Sequence, residues 1–160
     1  MSKYKDHTLK QYLDALSRKA PVPGGGSAAA LSASLGAALI SMVAHYSLGK
    51  NKGPKAEKKI DNILKNSESL RKRFLELVDL DAKAYLKVVK TRKSSLKVKN
   101  QALKEAKGIP LEITKLSYRA VLLTPGLVQY GNKNLISDVE VAIELLLASF
   151  NSALALLKHS

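Results

Sequence analysis

Residues 21–50, PVPGGGSAAALSASLGAALISMVAHYSLGK, restrict the possible folds more than any other part of the chain. Pro21 and Pro23 disfavour the helical region for the residues that precede them, so the approach is extended. Gly24, Gly25 and Gly26 follow; without a Cβ they admit a close approach of another group to the main chain. Ser27 is placed to cap a helix that begins there. The first N–H groups of such a helix have no partner within it, and the macrodipole adds partial positive charge at the same end. The stretch therefore offers a cradle for an anion or a polar oxygen, although three glycines and a cap are in the first place the marks of a tight turn.

The helix behind the cradle is built from small residues. Ala29, Ala33 and Ala37 form one row, Ser32, Gly36 and Ile40 a second, and Leu31, Leu35, Leu39 and Val43 a third. Small rows let a neighbouring backbone approach closely, and a helix apolar nearly all round belongs at the centre of a bundle. The run is nearly long enough to span a membrane. Against that, Ser27, Ser32, Ser34, Ser41 and His45 interrupt it, Ala outweighs Leu and Ile, and no second span is expected to pack with it. The expectation is a buried central helix in an all-α bundle, with no membrane.

Composition bounds the rest. A chain of 160 residues is one domain with room for a core, and 46% hydrophobic residues is too many for disorder. The lack of cysteine removes disulfides, zinc ribbons and a thiol nucleophile; three scattered histidines, His7, His45 and His159, do not make a metal site. The polar start MSKYKDHTLK shows no signal peptide, so a cytoplasmic protein is expected. A formal charge of +14 implies an anionic partner. Nucleic acid is one such partner, but only 5% of residues are aromatic, a poor supply of stacking platforms.

Four or five main helices are expected. Residues 8–19 form a short amphipathic helix with Leu9, Tyr12, Leu13 and Leu16 on one face and Thr8 with Gln11 as a capping box. GKNKGP at 49–54 ends the central helix, with Lys50 and Lys52 placed where cations favour a helix C-terminus. A long helix covers residues 55–90, with Phe74, Leu77, Val78 and Tyr85 in its inward stripe. Asp81 breaks that stripe, three and four positions from Val78 and Leu77, whereas Asp79 points elsewhere. A carboxylate on an inward face is costly unless paired, and its pKa is raised. A bridge to an arginine or a satisfied helix end would explain it as well as chemistry would. After a basic connector at 91–99, a helix from about residue 100 is expected to kink at Gly108 and Pro110, and to break at Thr124-Pro125-Gly126. GNKN at 131–134 is a turn, and Ser137 with Glu140 is a capping box for the last helix; Asp138 in its first turn is explained by the dipole alone.

Taken together, PVPGGGSAAAL, GAALISMVAHYSLGK, LVDLDAKAY at 77–85, IPLE at 109–112, GNKN at 131–134 and SDVEVA at 137–142 resemble, in order, the cyclodeaminase/cyclohydrolase family. That family comprises the cyclodeaminase domain of formiminotransferase-cyclodeaminase and the stand-alone methenyltetrahydrofolate cyclohydrolases. The resemblance implies an all-α fold, an oligomer built from dimers, and action on one-carbon derivatives of tetrahydrofolate. It also implies that Asp81, the second aspartate of LVDLDAKAY, is the catalytic residue. Gly24, Gly25, Gly26, Ser27, Lys50, Asn132 and Asp138 are the substrate-binding candidates. Relative to the family, residues 1–160 are read as one domain shortened at its C-terminus, with Leu156 in place of an asparagine and Glu140 in place of a glycine.

The expected function is a hydrolytic step on a one-carbon tetrahydrofolate, either methenyltetrahydrofolate cyclohydrolase or formiminotetrahydrofolate cyclodeaminase. Both pass through a tetrahedral carbon between two nitrogens, so both need proton transfer, which a semi-buried aspartate supplies without a metal. No cofactor beyond the folate substrate is expected, and a homodimer is. The alternative is a non-catalytic basic helical module that binds nucleic acid or a protein partner.

Overall fold

A computed structural model describes residues 3–50 and 52–159. Among them are six α-helices and no strand: α1 (Leu9–Leu16), α2 (Gly25–Ser47), α3 (Pro54–Lys90), α4 (Leu96–Val121), α5 (Thr124–Tyr130) and α6 (Ile136–Lys158). Short 3-10 turns cover Tyr4–Asp6 and Lys133–Leu135. The expected all-α bundle is what forms, with four long helices and two short ones.

Helix α2 is the axis of the bundle. Ala30, Ala33, Ala37, Ile40, Val43 and Ala44 are wholly buried, with α3 packed on one side and α6 on the other. Its serines make the crossings. Toward α6, Ser32 Oγ donates to the Leu145 carbonyl (3.0 Å), and Ala29 carbonyl accepts from Ser149 Oγ (2.8 Å). Toward α3, Ser34 Oγ donates to the Arg71 carbonyl (3.2 Å), and the Ser41 and Ser67 hydroxyls pair at 2.8 Å. Both neighbours thus run antiparallel to α2. At Gly36 a Cβ would lie 2.8 Å from Leu146 Cγ and 3.0 Å from the Ala142 carbonyl, so glycine sets how closely α6 approaches.

Several boundaries differ from expectation. Helix α2 starts at Gly25 with Gly24 as its N-cap, two residues before Ser27, because the cap group comes from another helix. The Thr8–Gln11 capping box forms as expected, but Leu9 and Leu13 stay exposed and only Tyr12 is buried. Helix α4 begins at Leu96 and continues through Gly108 and Pro110. The break expected at Thr124-Pro125-Gly126 falls just before it, at Leu122 and Leu123, and Thr124-Pro125-Gly126 opens α5, since a proline in the first turn lacks only an N–H that has no helical partner there. Ser137 is no cap: α6 starts at Ile136, and Asn132 caps the preceding 3-10 turn by accepting from Asn134 N–H (3.0 Å).

The expected want of a second apolar span is also corrected. By length and composition alone, Gly25–Ser47 and Lys133–Lys158 are both apolar enough to cross a membrane. The α2 window is 61% buried inside the protein, that of Lys133–Lys158 only 28%. Leu35, Tyr46, Val141 and Leu147 are among the large apolar side chains left exposed.

Candidate active site

At the N-terminal end of α2, helices α2, α3, α4 and α6 diverge around a cavity of about 790 Å³. Gly25, Ala28 and Ser32 come from α2, Asp81, Tyr85 and Val88 from α3, Leu103, Lys107 and Pro110 from α4, and Ser152 and Leu156 from α6, with His159 beyond it. The volume is in the range that small-molecule sites occupy, and the wall is apolar with a few polar groups, as such sites require.

Asp81 stands where the α3 stripe meets the start of α2. Its Oδ2 accepts a 3.0 Å hydrogen bond from the Ser27 N–H. Ser27 is the third residue of α2, one of the positions whose N–H has no partner within the helix. The carboxyl is therefore an N-cap supplied by α3, in the place where the serine was expected to act. The serine side chain has turned away, and its hydroxyl pairs with the buried Tyr12 hydroxyl at 2.9 Å. Burial pushes the Asp81 carboxyl up from its ordinary pKa, and the Ser27 hydrogen bond partly offsets that. Among the described residues no cation pairs with it, so of the structural explanations the arginine bridge is ruled out and the helix end is found.

Asp79, two residues away, faces the other side of α3 as expected. Its Oδ1 accepts from the Tyr4 N–H at 2.6 Å and so fastens the N-terminal turn to the bundle. Its Oδ2 is buried without a hydrogen bond.

The substrate-binding candidates fall into two groups. Gly26 and Ser27 lie directly against Asp81, Gly25 lines the cavity beside them, and Gly24 is the N-cap of the same turn. Lys50 and Asn132 lie at the opposite end of α2, which spans about 33 Å at the usual rise per residue. Asn132 donates its N–H to Ser47 Oγ (2.8 Å), and Lys50 is exposed. Lys52 caps the C-terminal carbonyls of α5, donating to Tyr130 (3.0 Å) and Gly131 (2.6 Å). Asp138 is separated from Ser149, the α6 residue bonded near the start of α2, by about 16 Å of helix. Within one protomer these three do not join Asp81.

Other residues of the cavity were not singled out from sequence. Tyr85 was placed in the inward stripe, but it is 43% exposed and lines the cavity. Lys107, Ser152 and His159 carry no local signal; only packing brings them to one place. The spacing of Tyr85 from Asp81, one helical turn, was the one available hint. No group of three His, Cys, Asp or Glu able to hold a metal occurs among the described residues.

The sequence profile described as formiminotransferase-cyclodeaminase matches residues 8–159. The chain is 34% identical to a methenyltetrahydrofolate cyclohydrolase of Methylorubrum extorquens over 92% of its own length and 76% of the relative's. It is 27% identical to the formimidoyltransferase-cyclodeaminase of Rattus norvegicus, covering 88% of this chain but 28% of that protein. The fold superposes on the crystal structure of formiminotetrahydrofolate cyclodeaminase from Thermotoga maritima with a TM-score of 0.93 at 29% identity, over 98% of this chain and 79% of that one. A profile match across nearly the whole chain, a cavity at the GGGS turn and the LVDLDAKAY aspartate on its wall agree with one another, and the chain belongs to the formiminotransferase-cyclodeaminase family.

Proposed function

We propose that this protein is an enzyme of one-carbon tetrahydrofolate metabolism that hydrolyses 5,10-methenyltetrahydrofolate, with Asp81 as general acid–base. The deamination of formiminotetrahydrofolate is the sister reaction, open to the same machinery. One observation carries the reading: a carboxyl of raised pKa, paired with no cation among the described residues, on the wall of a cavity of about 790 Å³. Its Oδ2 is held by a helix N-terminus, and its Oδ1 accepts no hydrogen bond from the described residues.

The chemistry follows from that placement. Water adds to the carbon between the two nitrogens as the Asp81 carboxylate removes one of its protons. The tetrahedral carbon then collapses: one C–N bond breaks, the departing nitrogen takes the proton back from Asp81, the hydroxyl proton passes to solvent water as the C=O bond forms, and a formyl group stays on the other nitrogen. The carboxyl ends ionised, as it began. While ionised, it also stabilises the cationic amidinium of the substrate. Lys107 at the rim suits a substrate carboxylate.

We assign the working form to a homodimer, supported by the apolar residues of α2 and α6 that one protomer leaves exposed. Contact of Lys50, Asn132 or Asp138 with the substrate bound at Asp81 then requires the second protomer.

The test is spectrophotometric. Methenyltetrahydrofolate absorbance should fall faster than in buffer alone, and formiminotetrahydrofolate should be assayed beside it by ammonia release. Turnover of neither, with tight and steeply salt-dependent RNA or duplex binding, would favour the non-catalytic module instead.

A further inference from the structure

We propose that Gly26 is a positioning residue for Asp81: lacking a side chain, it leaves the one gap on the first turn of α2 into which the carboxyl fits, with Oδ2 held by the Ser27 N–H and Oδ1 free to carry the proton. The proposal deepens the reading above and depends on it for the identity of the reaction.

Of the three consecutive glycines, only Gly26 is required by the carboxyl. A Cβ there would overlap Asp81 Oδ1 and lie 2.5 Å from Cγ and 2.8 Å from Oδ2. One at Gly25 would touch only Leu156 Cδ2, at an ordinary 3.6 Å, and one at Gly24 would meet nothing within 4 Å. Backbone conformation does not demand glycine at 26 either. The residue lies inside α2 and is not among the glycines with positive φ, which are Gly49 and Gly53. Alanine is the better helix former, so glycine here forgoes stability that alanine would supply.

The second constraint comes from α1. The Tyr12 hydroxyl holds the Ser27 hydroxyl at 2.9 Å in the buried layer beneath the turn. With that side chain engaged, it does not cap its own helix, and the helix end is left for Asp81. The two carboxyl oxygens are thereby made unequal. Oδ2 is already committed to an N–H, so the proton from water arrives at Oδ1 as the new C–O bond forms. It leaves from Oδ1 to the departing nitrogen as the C–N bond breaks.

Gly26→Ala in the full chain tests this. We expect a melting temperature at or above wild type, KM within a few-fold, and kcat lower by about 10²-fold or more, the usual worth of a general acid–base. Gly108→Ala is the control, because its Cβ also meets nothing within 4 Å in the interior of a helix; it should leave kcat unchanged. A readout independent of turnover is the Ser27 amide resonance of the ligand-free protein by NMR. In wild type it should shift as Asp81 ionises, and that titration should vanish in Gly26→Ala and in Asp81→Asn. If Gly26→Ala instead lowers the melting temperature, adding Asp81→Ala should restore it by removing the clash. Wild-type kcat in Gly26→Ala, a persistent Ser27 titration, or no restoration by Asp81→Ala would overturn the proposal. A wild-type protein without turnover, but with a Ser27 titration that Gly26→Ala abolishes, would remove the reaction and support the seating of Asp81 by Gly26.

Discussion

At Asp81, burial and a helix N-terminus pull on the same proton in opposite directions, and burial prevails. The folded chain holds this proton more tightly than the unfolded chain does. The group therefore costs stability as the pH rises from the ordinary aspartate range through its raised folded value, and above that value the cost is complete. Asp81→Asn keeps an oxygen for the Ser27 N–H and carries no charge. Its melting temperature at neutral pH should equal or exceed that of wild type, the gap closing on acidification, as thermal melts at stepped pH would record. Activity should fall by about 10²–10⁴-fold, with folate binding measured by titration nearly unchanged. Greater stability of wild type at neutral pH would mean that the carboxylate has a cationic partner. Glu68 acts in the opposite sense. Its hydrogen bond to Arg71 holds its pKa down to about 2, so its stabilisation is present above the usual carboxylate range and lost as the pH falls toward that value. Both side chains are about a third exposed, and solvent screening keeps this contribution small.

Between helices, hydroxyls and missing side chains do the fitting. Ser149 Oγ accepts from Ser117 Oγ (3.3 Å) and donates to the Ala29 carbonyl (2.8 Å), joining α4, α6 and α2 where all three are buried. Ser149→Ala strips the Ser117 hydroxyl of this buried acceptor and should cost about 1–2 kcal/mol in chemical denaturation. Gly36→Ala places a methyl against Leu146 and the Ala142 carbonyl, both part of α6. Backbone cannot yield as a side-chain tip does, so the expected loss is about 1–3 kcal/mol despite the better helix propensity of alanine. A neutral result in the same denaturation series would show that α6 shifts freely along α2. These two variants also bear on the site, because α6 carries Ser152 and Leu156 to the cavity wall.

For the molecule as a whole, the uneven burial of its two most apolar helical stretches is the telling feature. Most of the α2 window is covered by the chain itself, whereas most of the Lys133–Lys158 window is not. A second copy that covers Leu35, Tyr46, Val141 and Leu147 would remove that surface from water. Light scattering at micromolar concentration should therefore give twice the chain mass, and a charge placed at Val141 should shift it toward the monomer. A monomer mass for wild type would sink the dimer. The formal charge of +14 opposes association through self-repulsion, so the dimer should tighten as salt is raised.

Periodicity made the helices legible, because the stripe that must be buried is written within each helix. So were the Thr8–Gln11 box and the inward placement of Asp81, which depend on neighbours three or four residues away. The small rows of α2 predicted a central helix for the same reason: side-chain size alone decides how near another backbone can come. The starts of α2 and α6 were misread at Ser27 and Ser137, since a serine that can cap its helix need not do so. Ser27 is engaged by Tyr12, and the cap comes from Asp81, 54 residues further along the chain. No local rule contains that pairing; it depends on the register of α3 against α2. The same register brings Asp81 against Gly26, while within one protomer the lengths of α2 and α6 keep Lys50, Asn132 and Asp138, grouped with it by the motifs, away from it. Sequence determined which segments become helices and which carboxylate faces inward. Packing alone determined which groups meet, because a cavity is set by the angles and offsets at which finished helices cross.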